Sequence, residues 1–227
     1  MFKYRAEITK GEEIRYVSHL DYAGIIERAI CRAHLPAAYS EGFNPHMKLA
    51  FASALAVGVT SDAEYMDFEL TKPLCQPEVF DRLRQQLPPG VQLRRLKTFS
   101  GKHKALMAEV ELARYEIEVP VLGDSAAVQP ALDAFNQTPE YVYHRVTPKK
   151  TREIEIKQYI ASPLQGEVQD GKLRLSLDIV ITQSGSIKPG EILAILQKEF
   201  SLPVEESQAL IYRRALLGSG RPLIDLV

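Results

Sequence analysis

The stretch Tyr39-Ser40-Glu41-Gly42-Phe43-Asn44-Pro45-His46 and the later segment Glu64-Tyr65-Met66-Asp67-Phe68-Glu69-Leu70 decide the fold of the first half of the chain. The later segment alternates apolar and polar residues, which is typical of a half-buried β-strand with Met66, Phe68 and Leu70 facing inward. The earlier stretch places a glycine, an Asn-Pro pair and a histidine within five positions. It predicts a loop with demanding backbone geometry, because glycine permits positive φ and proline fixes the backbone.

Periodicities of strands and helices alternate on both sides of this stretch. Strands are predicted at 2–8, 47–54, 64–70 and 91–99, and helices from His19 to about His34 and from Pro77 through Leu87. Ser18 stands three residues before Asp21 and is a plausible N-cap for the first helix. The order strand, helix, strand, strand, helix, strand is that of a ferredoxin-like unit.

The second half of the sequence repeats this plan with one extra strand. Strands are predicted at 115–119, 141–146, 152–160, 171–181 and 210–217, and helices from about residue 124 to Asn136 and from Pro189. Pro130 conflicts with the interior of the first of these helices and predicts a later start or a kink. We therefore expect the α+β class, with two tandem ferredoxin-like (βαββαβ) units at residues 1-101 and 102-227, the second embellished.

Composition excludes several classes of protein. The 45% hydrophobic and 25% charged residues are ordinary for a globular protein, and a net charge of -1 argues against indiscriminate coating of nucleic acid. No apolar run approaches the roughly 18 residues that cross a bilayer. Cys31 and Cys75 form no CxxC pair and are expected to be free thiols. We expect a cytoplasmic protein with no membrane contact.

Two histidines are candidate catalytic residues. His46 ends the rigid loop and suits acid/base work, a phosphate contact or a metal, and the alternative is a turn histidine that bonds to a neighbouring carbonyl. His19 begins the first helix, where the helix dipole favours anions. With Asp21, Glu64 or Asp67 the two imidazoles could compose a two-histidine, one-carboxylate site. No spacing is diagnostic of it, and no metal or cofactor is predicted.

Basic residues outside the loop are candidate ligands of RNA phosphates. The expected binding set joins the loop residues with cations from three other segments: Gly42, Phe43, Asn44, Pro45, His46, Arg28, Arg32, Lys102, Lys104 and Arg152. Further cations lie at Arg94, Arg95 and Lys97, at Lys149 and Lys150, and at Arg213 and Arg214. The alternative is a solvated charged face. The aromatic signature of an RNA-recognition motif is absent.

The chain resembles a known bacterial family at Arg15-Tyr16-Val17-Ser18-His19-Leu20-Asp21, at residues 38–46 and at residues 64–70. This combined pattern, together with Arg152-Glu153-Ile154 and Arg213-Arg214, is similar to the radical-SAM-linked protein family. Members of that family are fused to, or encoded beside, a radical SAM protein, often near ribonuclease and ribosomal-protein genes. The resemblance implies a radical SAM partner and an RNA-related role, and it supplies no catalytic residues.

These observations predict a non-catalytic accessory protein of a radical SAM enzyme that binds RNA or a ribosome-related particle. The chain carries no CxxxCxxC motif and cannot itself hold the iron–sulfur cluster of that chemistry. One alternative is an RNA-processing enzyme that uses His46 and His19. Another is a protein-interaction module in which the loop is the docking surface.

Overall fold

The computed structural model describes residues 1–147 and 150–227, and the chain divides into two compact units. The first comprises Met1–Glu111 with Arg213–Val227, and the second comprises Leu112–Tyr212. The division expected from the sequence, between residues 101 and 102, differs in leaving the C-terminal segment with the second half. The order of elements along a chain does not show which sheet the last strand joins.

The fold belongs to the α+β class, as predicted. The helices are α1 His19–Arg32, α2 Gln76–Arg84, α3 Val128–Gln137 and α4 Pro189–Glu199. The strands are β1 Phe2–Lys10, β2 Leu49–Phe51, β3 Val59–Leu70, β4 Leu93–Phe99, β5 Leu112–Pro120, β6 Val142–Thr147, β7 Lys150–Glu155, β8 Gln165–Gln169, β9 Lys172–Val180, β10 Leu210–Gly218 and β11 Arg221–Pro222. None of the helices in the described part of the chain combines the length and apolar composition needed to cross a membrane.

The observed bounds of several helices and strands differ from the predicted bounds. Helix α1 ends at Arg32, before the predicted His34, because His34 adopts φ 50° and leaves the helical region. Strand β2 is confined to Leu49–Phe51, while β3 begins at Val59 rather than Glu64. Pro130 is the third residue of α3, so it lies in the first turn, where no intrahelical bond needs its missing N–H.

The second unit contains a three-stranded antiparallel sheet in the order β5-β9-β8. The sequence prediction misses β8, which a tight turn at Asp170 and Gly171 joins to β9; both residues have positive φ, as a two-residue hairpin turn requires. The predicted strand at 152–160 ends at Glu155 and gives way to a 3-10 turn. Strands β6 and β7 form a separate two-stranded sheet, and Pro148 and Lys149 lie outside the described residues.

In the first unit, β1 lies between β3 and β4 and is antiparallel to both. Strand β2 pairs with β3 near its end, and β10 is the other neighbour of β3. One face of this sheet carries the apolar core, in which Tyr4, Met66 and Phe68 pack with residues of α1 and α2. The inward positions predicted for β3 are therefore confirmed.

The opposite face of the same sheet is also closed. Arg5 is 0% exposed and Tyr65 is 2% exposed, although the alternation in β1 and β3 predicts that both face solvent. The phenol of Tyr65 donates to Glu7, which also binds Arg95, a neighbour on β4. The prediction of a half-buried sheet is wrong here, because sequence period shows which residues share a face but not what covers that face.

Arg5 links this sheet face to the segments that contain Glu109 and Leu223. Its guanidinium forms a two-point contact with the Asp67 carboxylate at 2.7 and 2.9 Å. It also donates to Glu109 at 2.5 Å and to the carbonyl of Leu223 at 2.9 Å. Although burial opposes its charge, the hydrogen bonds and charges of Asp67 and Glu109 raise the pKa of Arg5 above its ordinary value. One buried cation thus ties β1 to three other segments of the unit.

The C-terminal segment lies over the same face and is held by a second set of charges. A 3-10 helix spans Leu223–Leu226, with Leu223 and Ile224 both 0% exposed. Asp225 accepts from Arg95 at 3.2 Å and from Lys97 at 3.4 Å. The sequence offers these two β4 cations as candidate ligands of RNA phosphates. In the structure they bind the protein's own carboxylate instead.

The substitution Arg5→Ala tests how much the contact of Arg5 with Asp67 and Glu109 stabilises the fold. It leaves the carboxylates of Asp67 and Glu109 without their buried partner, so we expect the free energy of unfolding to fall by about 3–5 kcal/mol. The matched control is Arg114→Ala, which removes an equally bidentate pair with Asp178 at 2.8 and 2.9 Å on a guanidinium side chain that is 53% exposed. That loss should stay below about 1 kcal/mol. Urea denaturation of both variants measures the free energy of unfolding. Equal losses in the two variants would contradict the expectation that the buried pair contributes more.

Candidate functional site

The loop at 40–46 is closed by reciprocal hydrogen bonds between its ends. The amide of His46 donates to the hydroxyl of Ser40 at 2.9 Å, and the amide of Ser40 donates to the carbonyl of His46 at 2.8 Å. Gly42 adopts φ 123°, a conformation that other residues rarely reach, which explains a glycine at this turn. The predicted rigid loop is thus present, and its residues from Glu41 to His46 are exposed.

A groove runs between this loop and the chain that follows β4. It encloses about 480 Å³. We call it the basic groove, because its charged lining consists of three lysines, Lys3, Lys48 and Lys104, and two acids, Asp67 and Glu69. The ring-bearing residues that line it are His46, Phe68, Phe99 and His103. Two predicted residues, His46 and Lys104, meet in it. Lys102 is exposed on the same segment but does not line it.

The charges of the groove do not cancel. Asp67 is held by Arg5, and Glu69 lies 3.7 Å from the ammonium of Lys48. Within residues 1–147 and 150–227, Lys3 and Lys104 have no carboxylate within ion-pair distance. Two cations are therefore left to attract an anion, although the whole chain has a formal charge of -1.

An aromatic wall forms one side of the basic groove. The ring of His103 meets the ring of Phe99 edge-on, with centroids 5.1 Å apart. The guanidinium of Arg5 lies 5.4 Å from the centre of the Phe99 ring. Arg5, which is held by Asp67 and Glu109, thus lies against one side of Phe99.

Three predicted binding residues lie elsewhere. Arg28 is exposed on α1, and Arg32 donates to the carbonyl of Gln86 at 2.7 Å. Arg152 lies on β7 of the second unit, opposite Arg145 in the hairpin. None of the three lines the basic groove. Helical and hairpin positions show that a residue is exposed, but not which exposed residues converge.

The C-terminal arginines are also engaged. Arg213 is 4% exposed and donates to Glu64 at 2.9 Å and to the hydroxyl of Ser53 at 2.8 Å. Arg214 donates to Asp62 at 2.7 Å, and Asp62 also accepts from Arg94 at 3.1 Å. These ion pairs make Arg213 a structural partner of β3 rather than a surface ligand for phosphate.

His19 lies near the buried Glu64–Arg213 pair. It is the first residue of α1, after the N-cap Ser18, whose hydroxyl accepts from the amide of Asp21 as predicted. Its ring meets Phe51 edge-on with centroids 5.2 Å apart. Burial lowers the pKa of His19 below its ordinary value; the Glu64 carboxylate opposes the shift, and the charges of Arg213 and Lys10 reinforce it.

The two histidines and the β3 acids take separate partners. No hydrogen bond, ring contact or ion pair in the described residues joins His19 to His46. Glu64 binds Arg213, whereas Asp67 binds Arg5 in the network that closes the opposite sheet face. The same residues contain no cluster of three histidine, cysteine or acidic side chains placed to hold a metal ion.

Sequence reasoning did not single out Lys3 or Lys48 for the groove, nor Arg5 and Glu109 beside it. Lys3 and Arg5 read as ordinary outward positions of an alternating strand. The sequence offers one signal for these positions. Lys3 and Arg5 lie in the first predicted strand, which the expected βαββαβ order pairs with other strands. Glu109 lies 104 residues from Arg5, and no local pattern connects them.

Comparison with known proteins gives one family match. Residues 3–189 match the family described as "Uncharacterized protein conserved in bacteria (DUF2344)". No curated protein matches the chain. An unknown protein from Galdieria sulphuraria shares 10% identity, with 96% of this chain and 98% of that chain covered and a TM-score of 0.28. A candidate glycine cleavage system transcriptional repressor shares 9% identity, with 92% and 95% covered and a TM-score of 0.21. At these scores neither likeness defines the fold.

Substitution His19→Gln should change how stability depends on pH. The pKa of His19 is lower in the folded protein than in the unfolded chain, so the unfolded chain takes up the proton first as pH falls. The wild type should therefore lose stability as pH falls through the unfolded value of about 6.5, and the loss should level off below the folded pKa.

Urea unfolding of the wild type and the His19→Gln variant at about pH 7.5 and about pH 5 measures this effect. The wild type should lose more stability over that interval than the variant, because all other titrating groups are shared. A variant that loses as much stability as the wild type would show that burial does not disfavour the charged imidazole.

Proposed function

We propose that this chain, which belongs to the family described as uncharacterized protein conserved in bacteria (DUF2344), is a non-catalytic accessory protein that binds RNA or an RNA-containing particle. The observation that carries the proposal is the basic groove. It brings the loop residue His46 together with Lys3, Lys48 and Lys104, cations from three other points of the sequence, beside the ring of Phe99. Cations that track a backbone, next to aromatic rings that stack on bases, are the parts from which single-strand sites are built.

The closed sheet face supports a site at the groove. Sheet proteins that hold single strands commonly use an open face with aromatic side chains. Here that face carries Arg5 and Tyr65, both buried, and Arg5 donates to the carbonyl of Leu223 in the C-terminal segment. A nucleic acid could reach it only by displacing the C-terminal segment. The groove is open without such a rearrangement.

The exposed loop extends the proposed site. Phe43 is 112% exposed, the largest value among the exposed apolar side chains of the described residues. Its ring contributes nothing to a core, whereas a base or a partner surface would bury it. The reciprocal Ser40–His46 bonds fix the ends of the loop that presents Phe43 and Pro45.

We further propose a radical SAM protein as the partner of this accessory protein, in the cytoplasm. The support is the resemblance of residues 15–21, 38–46 and 64–70 to the radical-SAM-linked family. Cys31 and Cys75 do not form a CxxxCxxC motif, so the cluster chemistry would be the partner's. This chain's part would be to hold the RNA and present it.

The proposed architecture is a pair of ferredoxin-like units. Support in the first unit comes from the order β1-α1-β2-β3-α2-β4 and from antiparallel pairing of β1 with β3 and β4 and of β2 with β3. In the second unit it comes from β5 and α3 followed by the antiparallel pair β8 and β9 and by α4. The hairpin β6–β7 is then the embellishment of the second unit.

Substitution Lys104→Ala tests the proposed function. It removes one groove cation that has no structural partner in the described residues, so RNA binding should weaken severalfold without loss of stability. The slope of log affinity against log salt concentration should become shallower by about 0.7, the contribution of one phosphate contact in a single strand. Fluorescence anisotropy with an unstructured oligoribonucleotide at several salt concentrations measures both quantities.

The matched control is Arg28→Ala, an equally exposed cation on α1 outside the groove. It should leave both affinity and salt slope unchanged. If the two variants weaken binding equally, the charge of the whole surface and not the groove attracts RNA. If the wild type binds no RNA, the proposed function is wrong.

A further inference from the structure

The basic groove combines two different chemistries within one cavity. Its volume of about 480 Å³ falls in the range of roughly 300–1,000 Å³ that small-molecule sites occupy, so it exceeds what an isolated ion requires. One wall is formed by the rings of Phe99 and His103, and the lysines lie around it. A ligand that uses the whole cavity therefore has an anionic part and a flat apolar part.

The strand register places these two parts side by side. Lys3 on β1 lies directly opposite Phe99 on β4 and directly opposite Glu69 on β3. Directly opposite residues of antiparallel strands have Cβ atoms about 4.5–5.5 Å apart on the same face. The side chain of Lys3 thus begins next to the ring of Phe99, and the ammonium of Lys48 lies 3.7 Å from Glu69.

The aromatic wall is held in place by the closed sheet face. Arg5 lies 5.4 Å from the ring centre of Phe99, and the edge-on contact with His103 limits rotation of the ring. His103 is in turn anchored at 3.0 Å to the carbonyl of Ser100. A preorganised ring loses little conformational entropy when a flat group stacks on it.

Building on the proposed function, we infer that the basic groove binds one unpaired nucleotide of the RNA. The base stacks on the ring of Phe99, beside the edge-on ring of His103, and the adjoining phosphate is bound by Lys3, Lys48 and Lys104. A base inside a duplex has both faces covered by its neighbours and cannot stack on a protein ring. The groove therefore selects single strands, and it accepts any base, since every base has a π-face.

An acidic peptide is the competing occupant. Its carboxylates would satisfy the lysines, but it would leave the aromatic wall unused unless it also carried an aromatic residue. The two occupants differ in how much they depend on Phe99. The experiment therefore compares an aromatic substitution with a lysine substitution in the full chain.

The probe is an unstructured oligoribonucleotide that contains 2-aminopurine, whose fluorescence falls when the base stacks. Phe99→Leu removes the ring and keeps an apolar side chain; the matched control is Phe80→Leu, another half-buried phenylalanine with an arginine over its ring, Arg84 at 5.9 Å. We expect wild type and Phe80→Leu to quench the probe. Phe99→Leu should bind roughly tenfold more weakly and without quenching, as loss of one stacked base implies.

Competition experiments complete the design. Unlabelled single strand should displace the probe, while a blunt duplex of the same sequence and poly-glutamate should displace it poorly. If Phe99→Leu binds and quenches like the wild type, or the duplex competes equally, the inference is wrong although RNA binding stands. If poly-glutamate competes as well as RNA, the occupant is an acidic peptide. If the wild type binds no RNA, the proposed function fails together with the inference.

Discussion

The contact of the buried Arg5 guanidinium with Asp67, Glu109 and the carbonyl of Leu223 is the interaction on which the first unit depends. A guanidinium that is 0% exposed must have its donors satisfied, because an unpartnered buried charge costs several kcal/mol. Its acceptors come from three separated segments of the chain. The requirement to satisfy one cation therefore fixes residues 106–109 and the C-terminal segment over a sheet face that would otherwise be open.

Closure of that face determines where a ligand can bind. Glu7 and Asp225 neutralise Arg95, and Asp225 and the carbonyl of Val227 accept from Lys97, so the cations of β4 are bound internally. Among the described residues, Lys3 and Lys104 have no carboxylate partner, and both lie at the rim of this face, in the basic groove. The same Arg5 that closes the face also fixes Phe99, the aromatic residue of the groove. Arg5 thus contributes both to the stability of the unit and to the preorganisation of the proposed site.

Sequence periodicity predicts the α+β class, the inward positions of β3 and the helix α1, because the alternation of β3 and the apolar stripe of α1 are local signals. It also located the 40–46 loop, whose Gly42 needs positive φ. It could not show that Tyr65 is buried, because the alternation of a strand does not indicate what covers its second face. Strand β8 was missed because its residues, mostly exposed, lack an alternating apolar pattern. Lys3 and Lys104 come together in one groove because of strand pairing. A short stretch of sequence carries no information about which distant strands pair.

We propose that the closed sheet face leaves the rim groove as the place where RNA binds. Ultraviolet crosslinking of the full chain to a single-stranded RNA, followed by mass spectrometry of the linked peptides, distinguishes the groove from the sheet face. We expect links within residues 40–48 and 99–105, with Phe43, Phe99 and His103 as the reactive rings. Links concentrated at Tyr65 or in residues 223–227 would mean that the face opens and that the groove is not the RNA site.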